Sequence, residues 1–384
     1  MIVGQLCDTY PPNLDGVGRV ALAYCEELKK LGHAVYYVGP NNPKHDNAEQ
    51  LNTVLSMSLG IPTELHRLGI PWISPKYRKK LDAIPFDIVH AHSPFSAGAE
   101  ALRIAKKLNV PLVATFHSKF YDDALKITHS KAISKTVVDV IVNFFNKCDA
   151  VWTVNAGTAD VLRDYGFGGK ITVMENGTNF ETISESTIRS TKQKIHYSQT
   201  VPMFLFVGQH NTKKNLDAVI EACAIIKQSG VAFRLITAGD GPDFDRIKRL
   251  VKKLDLENCV QLLGFVDDKK ELTALYTLAS LLVFPSLYDN APMVLREAAA
   301  VATPALLVKG STAAENLRDG ENALIAEDSS PETIAERIMT GLPYLEKIGA
   351  GARMTIPMPW PQIMQKVERE YKALIQEKQG RIRY

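Results

Sequence analysis

A chain of 384 residues is too long for one ordinary domain and comfortable for two. With 46% hydrophobic and 23% charged residues it has the composition of a soluble globular protein that needs no disulfide staple, and no apolar run nears the roughly 20 residues of a membrane span. The net charge of +3 is small but uneven: from Ile61 to Lys135 twelve Lys and Arg stand against six Asp and Glu, a basic face that suits an anionic leaflet or is simply solvated, with no nucleic-acid motif beside it.

Cys7, Cys25, Cys148, Cys223 and Cys259 are far apart and form no CxxC pair, which argues against a zinc site and for a reducing compartment. The start, MIVGQLCDTY, lacks a basic leader and meets Asp8 early, so no signal peptide is read there and a cytoplasmic location is expected.

Short apolar runs alternate with amphipathic stretches along the chain. Predicted strands in the first half are residues 2–7, 34–38, 87–90, 112–115, 150–154 and 171–174, with helices at 17–31, 97–108, 134–146 and 158–164. The second half repeats the rhythm, with strands at 203–207, 234–238, 260–262, 281–284 and 305–308 and helices at 215–228, 244–254, 268–278 and 293–301. Strands bounded by helices at this spacing mean βαβ units and parallel sheets, and two such series mean two doubly wound α/β domains. The polar stretch 181–200, rich in Ser, Thr and Lys, reads as the linker, and 360–376 reads as a final amphipathic helix after PMPWP. The expected domains are 1–180 and 200–357, with a C-terminal helix within 358–384 joined to the first.

In open parallel sheets ligands bind beyond the carboxyl ends of the strands, so the loops just after them carry the functional information. The most telling is FPSLYDNAPMVLREAAAVATP, residues 284–304. A strand ends there in a polar loop carrying Asp289, Pro292 suits the start of a helix, and Glu297 follows one turn on. Unpaired N–H groups at such a helix start suit an anion, and Glu297 can accept from a hydroxylated ligand, so the pattern fits a sugar nucleotide. An ordinary strand-loop-helix unit with a capping Asp and a solvated Glu fits equally.

Four further loops have the same double reading. PPNLDGVGRV (11–20) carries Gly16 and Gly18 after the first strand, either for close approach to a ligand or as a simple tight turn, and it is not the GxGxxG of a dinucleotide site. ATFHSKF (114–120) sets His117 just past a strand, where it can meet a sugar hydroxyl or serve as a cap or structural histidine. FLFVGQHNTKKNLDAV (204–219) sets Lys213 and Lys214 before a helix, where they can attract a diphosphate or stand in solvent. TAGDGPDF (237–244) offers Gly239 and Gly241 to a nucleotide or to a turn. No Ser-His-Asp order, HExxH helix or Walker A loop is present.

These five sites fall in an order that resembles the retaining glycosyltransferases of the GT-B fold marked by a Glu-x7-Glu signature, the family 4 type, over residues 2 to about 338. The resemblance implies two Rossmann-like domains facing across a cleft, acceptor bound by the first and nucleotide sugar by the second. It implies that Gly16 lies near the donor diphosphate, His117 contacts the transferred sugar, Lys214 holds the diphosphate, Glu297 accepts from the ribose hydroxyls, and Asn290, Ala291, Pro292 and Met293 form the loop whose available N–H groups meet sugar and phosphate. Asp289 takes the first Glu position, one methylene short, and Gln209 stands where the family usually has Arg, a charge that Arg19 or Lys213 is in a position to replace. Gly239 belongs to the donor-binding set.

Within the family, residues 86–123 look most like the enzymes that glycosylate diacylglycerol. The implied activity is transfer of a hexose from a UDP-type donor such as UDP-glucose to a lipid or glycan acceptor, peripheral on the inner face of a membrane, with no metal and no cofactor beyond the donor. Enzymes of cell-surface polysaccharide assembly and a non-catalytic sugar-nucleotide binder of the same fold are the alternatives.

Overall fold

The computed structural model describes residues 1–9, 16–41, 52–60, 67–117, 120–178 and 183–382. The chain divides into two compact units, Met1–Asn176 with Trp360–Tyr384, and Gly177–Pro359.

The first unit is built on seven parallel strands. They are β1 (Ile2–Leu6), β2 (Ala34–Pro40), β3 (Asn52–Ser56), β6 (Ile88–Ala91), β7 (Leu112–Phe116), β8 (Ala150–Thr153) and β9 (Ile171–Val173), in the order β3-β2-β1-β6-β7-β8-β9. A small antiparallel pair, β4 (Ser58–Gly60) and β5 (Arg67–Gly69), forms a separate two-stranded sheet. The crossover helices are α1 (Gly16–Lys30), α2 (Pro75–Asp82), α3 (Ser96–Leu108), α4 (Phe120–Thr128), α5 (Lys131–Phe145) and α6 (Ala156–Asp164). The sheet order reverses between β1 and β6, which makes that pair the switch point where a doubly wound sheet offers a crevice.

The second unit has six parallel strands. They are β10 (Met203–Val207), β11 (Arg234–Ala238), β12 (Val260–Leu262), β13 (Leu281–Val283), β14 (Ala305–Val308) and β15 (Leu324–Ala326), in the order β12-β11-β10-β13-β14-β15. Its helices are α7 (Glu185–Lys194), α8 (Leu216–Gln228), α9 (Phe244–Lys253), α10 (Lys269–Leu278), α11 (Met293–Ala300), α12 (Pro331–Gly341) and α13 (Leu345–Thr355). Both faces of the sheet are covered. Phe204 and Phe206 of β10 enter one core with Leu235, Leu281 and Val283, while Met203, Leu205 and Val207 enter the other with Ile236 and Leu282. That burial on both faces explains why the strands read as unbroken apolar runs. The switch point is β10 and β13. The chain then returns to the first unit as α14 (Trp360–Ile382), whose Trp360, Ile363, Met364, Val367 and Tyr371 are buried.

The elements expected from the sequence are present within a few residues, but 181–200 is no linker. Residues 179–182 lie outside the described ones; the rest begins with α7, whose N-cap Ser184 accepts from Thr187 N–H. Ile188, Thr191 and Ile195 repeat at helical spacing; Thr191 and Ile195 are buried, and Ile188 packs beside Ile195 in the second unit's core. One of those three positions is a Thr, so the apolar periodicity is too sparse to see. The second unit therefore starts at Gly177 rather than at 200, and Thr178 N–H donates to Met358 carbonyl at 2.7 Å, closing its two ends together.

Candidate active site

In the second unit the loops after β10 and β13 meet at the switch point. Asn211 caps a short 3-10 turn, Thr212–Lys214, accepting from Lys214 N–H, and Asn215 follows in the left-handed region with φ of 56°. This geometry aims the Lys214 ammonium at the neighbouring loop, where it pairs with Asp289 Oδ1 at 2.5 Å, 5.5 Å from the centre of the Phe284 ring. Ser286 Oγ ties the two loops together, donating to Lys213 carbonyl at 3.2 Å. Each partner of the ion pair is about a fifth exposed, so it is only partly screened. Asp289 Oδ2 is buried and has no hydrogen-bond partner among the described residues. It is an acceptor suited to a hydroxyl group.

Asn290 is buried, and α11 follows with Pro292 as its N-cap and no side chain capping its first turn. Pro292 is thus one position earlier than the sequence suggests, outside the helix, because its ψ of 125° is extended. The helix opens at Met293 with amide N–H groups that no side chain satisfies. Glu297 is one turn on, and its Oε2 accepts from the buried Tyr276 hydroxyl at 2.9 Å. Tyr276 in turn has its carbonyl held by Thr303 Oγ1 at 2.6 Å, so the carboxylate stands on a fixed base.

Gln209 Oε1 accepts from Asn211 Nδ2 at 3.0 Å, which binds it to the cap of the lysine turn. Gly239 has φ of 150°, and a Cβ there would lie 1.9 Å from Gly208 carbonyl oxygen. The two loops approach so closely that this glycine is demanded by backbone alone.

In the first unit, Gly16 opens α1 with open space where a Cβ would stand; residues 11–15 of its loop lie outside the described ones. His117 follows β7 and belongs to a row of three rings. His90 and His92 stack with centroids 4.2 Å apart, and His92 and His117 with centroids 5.5 Å apart. His92 Nδ1 meets His117 Nε2 at 3.3 Å and His92 Nε2 meets Gln5 Oε1 at 2.7 Å. His90 is held between Tyr371 hydroxyl at 2.6 Å and Thr115 Oγ1 at 2.7 Å. Burial holds the His90 and His92 rings well below the usual histidine range and pushes His117 down to about 3, so all three are neutral at physiological pH.

The structure therefore brings Gln209, Lys214 and Asp289 into one connected cluster, sets Asn290 to Met293 and Glu297 along the start of α11, and keeps Gly16 and His117 in the first unit. Sequence reading points to the loops 92–95 and 208–215 without singling out His92 or Asn211, and it missed Tyr276, Gln5 and Tyr371. The pair His90 and His92 had a visible signal, since two histidines two apart at a strand end share one face. Tyr371 had none, because it arrives from the far end of the chain.

Comparison with known proteins agrees with this architecture. Residues 14–182 match the model of Glycosyltransferase Family 4 and residues 188–342 that of Glycosyl transferases group 1. Alpha-monoglucosyldiacylglycerol synthase of Acholeplasma laidlawii is 24% identical over 84% of this chain and 84% of its own. The Streptococcus pneumoniae protein of the same name is 24% identical over 80% and 70%. The crystal structure of HepE from Anabaena in complex with UDP and glucose superposes with a TM-score of 0.76 at 19% identity, covering 97% of this chain and 99% of that one.

Proposed function

The chain belongs to the GT-B glycosyltransferases that join a family 4 domain to a group 1 domain, and on that premise we propose that it transfers a hexose from a UDP-sugar, with retention at the anomeric carbon, to a hydroxyl of a diacylglycerol-type lipid. The observation that carries the donor half is the Lys214 ammonium, delivered by the loop after β10 to the loop that starts α11. In this reaction the bond from the anomeric carbon to the phosphate oxygen breaks, and negative charge grows on the departing diphosphate. An ammonium and the amides of a helix start that no side chain caps, fixed in advance, stabilise that charge without reorganising.

The incoming diphosphate, with more charge than one carboxylate, displaces Asp289 from Lys214. Asp289 then accepts from hydroxyls of the sugar, Glu297 from those of the ribose, and His117 from a hydroxyl of the transferred sugar. Gly16 and the N–H groups near Asn290, Ala291 and Met293 line the donor. As the acceptor oxygen bonds to the anomeric carbon, its proton passes to the leaving phosphate oxygen, so no protein base is assigned. Lys214 and the amides supply the countercharge, and the reading invokes no metal.

Support for the lipid half comes from the named relatives and from the surface of the first unit. Trp72 and Ile73 are more than half exposed, and they lead directly into α2, where Lys76 and Lys79 are exposed. An exposed indole beside ammonium groups suits the headgroup zone of an anionic leaflet, and among the described residues no helix is long and apolar enough to cross a membrane. On this reading the enzyme works at the inner face of a membrane.

The test is incubation of purified protein with UDP- and GDP-sugars and diacylglycerol vesicles, with products read by mass spectrometry and the anomeric configuration by proton coupling. An α-glycosyl lipid made from a UDP-sugar is the expected product. Transfer to glycans alone would remove the lipid acceptor, and a β-linked product would remove retention.

A further inference from the structure

We propose that Arg296 is a positioning residue that ties helix α11 to the two crossovers of the chain, so that a nucleoside diphosphate held at the start of α11 steadies the hydrogen bond between Thr178 and Met358. The inference rests on the reading that the start of α11 receives the donor, and it concerns what that binding does elsewhere in the second unit.

Helix α11 is eight residues long, too short to hold its place alone, and no side chain caps its first turn. Its position is set by what grips its flanks. Leu295 and Ala298 enter the core of the unit, and Glu297 accepts from Tyr276. Arg296 leaves the helix on another flank, where its Nη1 donates to the carbonyl of Ile356, the C-cap of α13, at 3.1 Å. Past the other end of α11, a Cβ on Gly349 of α13 would stand 2.1 Å from Ala302 carbonyl oxygen. The two backbones touch there, so α11 has no room to slip along α13.

The sequence IPMP, residues 356–359, explains why the end of α13 takes a donor from outside. The last carbonyls of a helix have no partner within it, and Pro357 and Pro359 have no N–H to offer. A guanidinium at this end satisfies a carbonyl and favours the helix dipole. Beyond Ile356 the chain is stiff, because each proline fixes its own φ. Met358 carbonyl then accepts from Thr178 N–H at 2.7 Å, and Thr178 pairs with Pro359 in a parallel bridge. Thr178 is 1% exposed, so this amide meets little solvent while the bridge holds. These paired segments are the two places where the chain passes between the units, and all the residues named belong to the second. The contacts therefore run without a gap from α11 through Arg296, Ile356 and Met358 to Thr178. A diphosphate at the start of α11 orders that end of the helix, and each contact passes the lost freedom on.

The test is amide hydrogen exchange of the full-length protein with and without saturating UDP, resolved to single residues. UDP is expected to slow the amides of Asn290, Ala291 and Met293 and, by about fivefold or more, that of Thr178. In Arg296→Met, which keeps an unbranched apolar stem and loses the donors, protection at residues 290–293 remains and the Thr178 response disappears. Arg296→Lys returns a donor and restores the response in part, which a side chain that merely fills space would not require. Arg296→Gln, too short to reach Ile356, gives the same loss by a second route should Arg296→Met fold poorly.

A Thr178 amide unmoved in the wild type while UDP protects residues 290–293 overturns the coupling and leaves the donor site standing. An undiminished Thr178 response in both Arg296→Met and Arg296→Gln overturns the role of Arg296. If UDP protects neither place, the donor site itself is misassigned and the coupling falls with it.

Discussion

The two units present opposite solutions to placing polar groups at a switch point. The first buries His90 and His92, strips them of charge, and holds their ring nitrogens with Gln5, Tyr371 and Thr115, with His117 stacked on His92 at the edge of the array. The second keeps full charges, Lys214 on Asp289, at a partly exposed edge held by two loops. Neutral groups in a sealed array gain direction, since each has one donor and one acceptor role. A charged pair near solvent gains strength of attraction and stays exchangeable. The difference teaches which unit is suited to steer a hydroxyl and which to receive a diphosphate.

The sharpest way to break that comparison is Lys214→Ala. If the second unit works by charge, transfer falls by roughly 10²–10³-fold, the usual loss on removing one preorganised stabiliser of a developing anion. Circular dichroism should be unchanged, since the 3-10 turn is capped by Asn211 and not by the lysine side chain. Turnover within a factor of three of wild type would remove Lys214 from the diphosphate site.

How much of this was legible follows the same division. Strands β10 to β14 of the second unit and the loop from Asp289 to Glu297 were readable because charge, Pro and apolar runs sit close in sequence and their local spacing carries the geometry. Even there Tyr276, which anchors Glu297, escaped notice, since a tyrosine late in a helix looks like core. In the first unit His117 was visible only as one histidine after a strand. Its neighbour His92 had a local signal only as one of two histidines two apart, while Gln5 and Tyr371, which hold His92 and His90, are set by strand pairing of β1 and β6 and by the return of α14, which have none. The short strands β3 and β15 and the polar helix α7 were missed for a related reason: tertiary contacts, not periodicity, define them.

Acid should separate the units. The unfolded value for each histidine is near 6.5, and burial lowers His90, His92 and His117 in the folded state, so the unfolded chain binds more protons. Stability is therefore fully present above pH 6.5 and is lost as pH falls toward the folded value, about 3 for His117. Each ring contributes up to about 1.4 kcal/mol per pH unit over that window. Among the described residues of the second unit one histidine, His210, is lowered in this way. The chain's three tryptophans, Trp72, Trp152 and Trp360, all fall in the first unit, so their fluorescence reports that unit alone. The expected result is a fluorescence transition at higher pH than the one seen by far-ultraviolet circular dichroism. Coincident transitions would mean that the histidine array is no weaker in acid than the rest.

The smallest expected effect tests the exchange of partners on Lys214. In the absence of donor the ammonium is occupied by Asp289 Oδ1, so part of the attraction for a diphosphate is used in displacing that carboxylate. Asp289→Asn keeps the shape and removes the charge. UDP alone should then bind a few-fold tighter, in keeping with the 1 kcal/mol or less of a partly exposed pair. Transfer should nevertheless fall, because the amide is a poorer acceptor for the sugar hydroxyls assigned to Asp289. Opposite movement of product affinity and turnover is the signature of a carboxylate that competes before the donor arrives and assists afterwards. Equal weakening of both would make Asp289 a simple brace for the lysine, and the second unit would then have one working charge at this loop instead of two.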